Sequence, residues 1–141
     1  MIKHLLKIAF AVILVIPVTS FAHVAEKDTL QIIHPWADEA EQGADSIVHP
    51  TFMNNDEHKE YIIIRADSES AEKIVFLKDK EIVDVITLKP GDILSDEDIT
   101  VQLKNVKDTL KEGQTISMTL YFQDGTELNF KLGVGQQTMP E

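Results

Sequence analysis

The 141-residue chain has no cysteine, which excludes disulfides, thiolate metal sites, thiol nucleophiles and CxxC redox chemistry together. Its fold must be held by its core alone. Soft metal ligands are confined to Met53, Met118, Met139 and the histidines. Positive charge is scarce as well: 13 Lys and Arg face 24 Asp and Glu, for a net charge of −11. Such a surface repels phosphate backbones and anionic lipid headgroups, so neither nucleic acid nor a peripheral membrane surface is an expected partner. Catalytic signatures are missing too. There is no GxSxG elbow, HExxH helix or phosphate-cradling glycine loop. Ser, His and Asp occur without triad context, and the expectation is a protein that is not an enzyme. No Asp/Gly spacing matches an EF-hand loop, so Asp38-Glu39 and Asp96-Glu97-Asp98 read as solvated surface.

The N-terminus carries the three parts of a secretory signal: Lys3 and Lys7, an apolar run from Ile8 to Val18 broken at Pro17, and the small residues Ser20 and Ala22 at −3 and −1 of a cleavage site. The run is too short for a membrane span, which takes about 20 apolar residues. Residues 1–22 are therefore expected to be a signal peptide and residues 23–141 a single exported domain with no stable membrane span after cleavage. Cleavage makes His23 the new N-terminus and leaves 11 Lys and Arg against 24 acids, a net charge of −13.

The remaining 119 residues suffice for one core. Apolar residues alternate in short blocks: Tyr61–Ala66, Lys73–Leu77, Ile82–Leu88, Ile99–Val106, Ile116–Phe122 and Leu128–Val134, with weaker blocks at Leu30–Ile33 and Ile47–Met53. Ile116, Met118, Leu120 and Phe122 share one face, as a half-buried strand requires. Asp124-Gly125 between two such runs predicts a hairpin, and Pro90-Gly91 and Glu112-Gly113 mark further turns. Ser68–Glu72 reads as one helical turn capped by Ser68. No long amphipathic helix is present. The expected fold is all-β, an antiparallel β-sandwich of about eight strands.

An ordered set of segments resembles one family. His23 to Ala37, with Leu30-Gln31-Ile32 leading into His34-Pro35-Trp36-Ala37, resembles the opening of periplasmic copper chaperones of the PCu(A)C type, with Asp38 where arginine is common. Phe52-Met53-Asn54-Asn55 resembles the family's aromatic strand ending at asparagine, and Asp67-Ser68-Glu69-Ser70-Ala71 its Ser/Ala-rich turn. Asn105–Gln114, followed by Ile116–Phe122 and Asp124-Gly125, resembles its GLKxPLKEGD segment, strand and hairpin. The resemblance implies a cupredoxin-like sandwich that binds copper and passes it toward respiratory oxidase assembly, with a copper ion and an envelope or oxidase-assembly protein as partners. It also implies a site of one histidine and three further ligands, including a His-x-Met pair. Carried over by position, that site falls on Leu77, on Val83 or Val85, and on Thr100 and Gln102. Leucine and valine cannot ligate, and Thr and Gln offer hard oxygens that suit Cu(I) poorly.

Copper is then expected on other residues. His23, once freed, offers an amine and an imidazole on one residue, a pair suited to Cu(II). His49 and Met53 fall on one side of an extended strand and could share Cu(I). His34 precedes a proline, which favours an extended backbone there and a packing or hydrogen-bonding role. Trp36 is expected to pack the sandwich edge with its N–H on a partner. The alternative is a sandwich without metal that serves as an adaptor to another cell-envelope protein.

Overall fold

The computed structural model describes residues 24–135, which form eleven strands and, among the described residues, no helix. In chain order these are β1 (Val24–Lys27), β2 (Leu30–Ala37), β3 (Ser46–Asn54), β4 (Tyr61–Asp67), β5 (Ala71–Lys78), β6 (Glu81–Val83), β7 (Ile86–Leu88), β8 (Ile93–Leu94), β9 (Thr100–Val106), β10 (Thr115–Phe122) and β11 (Glu127–Val134). The all-β architecture read from the alternation is present, and the blocks named above fall on strands, with Ile99 just ahead of β9 and Ile82–Leu88 divided between β6 and β7. The signal peptide and His23 lie outside the described residues.

Alternation translates directly into burial. Ile116, Met118, Leu120 and Phe122 of β10 are 8%, 2%, 1% and 3% exposed. They pack with Leu30 and Ile32 of β2, Val48 and Phe52 of β3, and Val101 and Leu103 of β9 in one core. The hairpin from β10 to β11 turns at Asp124-Gly125. Gly125 has φ +89°, Phe122 N–H donates to the Thr126 carbonyl at 2.9 Å, and Thr126 N–H donates to Asp124 Oδ1 at 3.0 Å. A left-handed residue at that corner is what glycine supplies at low cost.

The strands run in the order β6-β5-β9-β3-β2-β11-β10-β4-β7, with β1 added on β2 and β8 on β3. Since β6 and β7 are joined by only Asp84 and Val85 yet end opposite edges of this order, the sheet curls into a nearly closed barrel-like sandwich.

Four local expectations are corrected. The pairing is not wholly antiparallel: β2 and β11 run parallel, with Gly133 opposite Trp36 and Val134 opposite Ala37. This seam joins the start of the domain to its end, and Gly135 N–H donates to the Ala37 carbonyl at 2.7 Å. Gly135 has φ +85°, and a Cβ there would lie 2.7 Å from Glu112 Cγ, so only glycine fits. Second, Ile82–Leu88 is two strands, because the exposed Asp84-Val85 link carries the chain from one sheet edge to the other. Third, Ser68–Ser70 is a tight turn instead of a helical one, since β5 begins at Ala71. Ser68 Oγ accepts from Ser70 N–H at 3.1 Å and donates to the Ser117 carbonyl at 2.6 Å.

The fourth correction is His34, which is left-handed (φ +45°) instead of extended, and exposed. Leu30 and Ile32 face inward, but so do Pro35 and Ala37, and that change of parity requires an extra residue. The register shift between Ile33 and Trp36 absorbs it. Burial of Pro35 and Ala37 outweighs the pre-proline preference, and histidine tolerates the left-handed region better than most residues.

Candidate metal centre

Three of the positions that the resemblance assigns to copper converge, whereas Val83 shares the inward face of Phe76 and Val85 lies in the exposed link after β6. Leu77 on β5 stands opposite Thr100 on β9, Val75 opposite Gln102, and Leu77 is also opposite Ile82 of β6. Phe76 pairs with Val83 and with Val101 and is buried. Leu77, Thr100 and Gln102 therefore point outward from the core, and each is half-buried. Their side chains supply no imidazole, thioether or carboxylate, so this sheet face is largely neutral.

His49 lies on the same outer face. The β3–β9 register pairs Ile47 with Gln102 and Val48 with Val101, which carries His49 to the level of Thr100. The imidazole, 21% exposed, sits in a cage. Its Nε2 is 2.9 Å from Asp38 Oδ1 and its Nδ1 is 2.9 Å from Asp96 Oδ2. Its ring stacks on Trp36 at 4.0 Å between centroids and 20° between planes. Trp36 and His49 are cross-strand partners, so β2 and β3 present the two rings side by side. Ionised carboxylates only accept hydrogen bonds, so both contacts are satisfied when both ring nitrogens donate. A copper ion must displace one carboxylate to reach a nitrogen lone pair. Trp36 thus packs against a histidine on the outer face and not at the sandwich edge.

Met53 shares the face of His49 by parity but stands four residues further along β3, about 13 Å at roughly 3.3 Å per residue. It is half-buried between Gln31 and Ile93 and borders a groove with Asn55, Asp56 and Glu57. The structure does not bring His49 and Met53 together. His58 is exposed in the turn after β3, its N–H donating to Asp56 Oδ1 at 2.8 Å. Among the described residues, no group of three or more His, Cys, Asp or Glu side chains is placed to hold a metal ion.

At the start of the domain, β1 lies antiparallel on β2, with Val24 opposite Ile33. Ile33 precedes the exposed His34, and Val24 follows His23 in sequence.

Two residues at opposite ends of the β2–β3 pair make contacts that sequence reasoning passed over. Asn54 is 1% exposed, and its Nδ2 donates to the carbonyls of Lys59, Leu88 and Lys89 at 2.9, 3.0 and 3.1 Å. Its Oδ1 accepts from Asp56 N–H at 2.9 Å. Asp38, which reads as solvated surface, keeps 43% of its side chain exposed and is in addition a partner of His49. Nothing in the sequence marked the latter, because Asp38 and His49 meet only through the β2–β3 register. The family-like asparagine ending β3 was a visible signal for Asn54.

The chain has an all-β fold similar to that of PCuAC domains. Three solved structures carry that likeness. The copper-bound PCuAC domain from PmoF2 superimposes with a TM-score of 0.70 at 20% identity, over 79% of this chain and 97% of that one. The apo PCuAC domain from PmoF1 gives 0.72 at 19% identity, over 82% and 100%. The apo PmoF2 PCuAC domain gives 0.69 at 19% identity, over 79% and 94%. No family model and no curated protein matches the sequence.

Proposed function

We propose that the chain is an exported, periplasmic copper-chaperone-like protein whose metal site has left the β5–β9 face and centres on His23 at the mature N-terminus. The observation that supports this reading is the β1–β2 register. Val24 and Ile33 are held as cross-strand partners, about 5 Å apart between Cα atoms; His34 follows Ile33 in the chain and His23 precedes Val24. Cleavage after Ala22 frees an amine on His23. That amine, the His23 imidazole and the imidazole of His34 then make three nitrogen donors, a set that suits the tetragonal preference of Cu(II). The copper-bound domain from PmoF2 shows that a domain of this fold takes copper. Delivery toward respiratory oxidase assembly is the role that the family resemblance implies. His49 and Met53 are secondary candidates, His49 because Asp38 and Asp96 compete for its nitrogens, and Met53 because no second soft ligand stands beside it.

The test is copper titration, with electron paramagnetic resonance, of protein recovered from the periplasm after mass spectrometry confirms that it begins at His23. Tight Cu(II) binding is expected, lost in His23→Ala and weakened at least tenfold in His34→Ala. One extra alanine ahead of His23 keeps both imidazoles but moves the amine, and should also abolish tight binding. Unchanged affinity in the extended form would sink the proposal. No copper binding by the mature chain leaves the adaptor reading, which the loss of ligands at Leu77, Thr100 and Gln102 favours.

A further inference from the structure

The sheet has two free edges, and they face one groove. β6 pairs only with β5 and β7 only with β4 among the described strands. An antiparallel pair uses the backbone groups of alternate residues, so the other alternate N–H and C=O groups of each edge strand point away from its partner. Between the two edges lies a groove of about 900 Å³. Its floor is Val83, Ile86, Leu94 and Ile99, and its rim carries Ile82 and Val85, 69% and 40% exposed. The charges lining it are Asp79, Asp84, Asp92, Glu97 and Asp98 against Lys78 and Lys89, a net of −3 from five acids and two lysines.

We propose that this groove is a docking site for an extended, cationic segment of a partner protein, which adds a strand along β6 or β7. Unpaired edge groups supply the backbone hydrogen bonds of strand addition. Alternate apolar side chains of the incoming strand enter the floor, and its lysines or arginines meet the carboxylates. A second copy of this chain is a poor occupant, because each copy would bring the same acidic rim. Both edges are only three residues long, so few backbone bonds form and exchange is fast. The groove is lined by neither His34 nor His49, and the inference does not depend on the copper reading.

The test is titration of the isotopically labelled mature protein with a synthetic peptide of alternating valine and lysine, followed through its amide resonances. Shifts and slowed hydrogen exchange are expected at residues 82–87, with affinity falling more than tenfold in Ile82→Lys, a substitution at a position exposed enough to leave folding intact. A valine–glutamate peptide and a backbone N-methylated valine–lysine peptide should each bind at least tenfold more weakly. Equal binding of either control, shifts confined to other surfaces, or no binding at millimolar peptide would overturn the proposal. So would a dimer in sedimentation that Ile82→Lys dissolves, since the occupant would then be a second copy.

Discussion

Asn54 shows how much one buried polar side chain decides. Its amide holds the turn after β3, the end of β7 and the following loop by three carbonyls, and its oxygen fixes Asp56. Asn54→Ala removes all four bonds and leaves the Leu88 carbonyl without its buried donor. Each orphaned group costs roughly 1–3 kcal/mol, less where water enters. A loss of about 3 kcal/mol in urea unfolding is expected, with an unchanged denaturant slope. A loss below about 0.5 kcal/mol, the scale of ordinary surface substitutions, would show that the network is replaceable by solvent. At the same scale, His49 was legible as a candidate ligand, but its two carboxylate partners were not, since they are 11 and 47 residues away.

At the scale of elements, β10 is the strand whose role was plainest in advance, and its inward face is continuous from Ile116 to Phe122. Phe122 meets the Tyr61 ring edge-on at 6.1 Å between centroids. Phe122→Ala should cost about 3–5 kcal/mol, because the barrel wall cannot collapse into the space. Thermal unfolding by circular dichroism checks this, and a change under about 1 kcal/mol would place Phe122 in a more compliant wall than its burial implies. The short elements were less legible. β6 and β7 read as one apolar run, because alternation reports which side chains face inward and carries no information about where a strand changes partner.

For the whole molecule, acid is the sensitive direction. Asp45, Asp56 and Asp124 are each held below the usual carboxylate value. The causes, largest first, are the Lys104 ammonium and Asn105 N–H at Asp45, the N–H groups of His58 and Lys59 at Asp56, and the hydroxyl and N–H of Thr126 at Asp124. The folded state therefore binds protons less readily than the unfolded state at these groups. The stability they contribute is complete above the unfolded value of about 4 and is lost as pH falls through the lower folded values. Urea midpoints attributable to these groups should hold steady from neutral pH to about 5 and fall below about 4. Asp56→Asn should flatten part of that fall, and an undiminished fall in that variant would assign acid sensitivity to other carboxylates.

The sequence by itself determined the all-β class, the inward faces, the Asp124-Gly125 hairpin and the likeness to PCuAC domains, because alternation, turn chemistry and segment order are local or sequential properties. It also determined that Leu77, Thr100 and Gln102 stand where the resemblance places copper ligands, since residue type is fixed by the sequence. Only the tertiary structure decided the left-handed His34, the Asp38–His49–Asp96 cage stacked on Trp36, and the facing free edges of β6 and β7. Each of these depends on register and closure, through which residues far apart in the chain become neighbours, and a periodic pattern specifies which face a side chain takes but not which strand lies beside it.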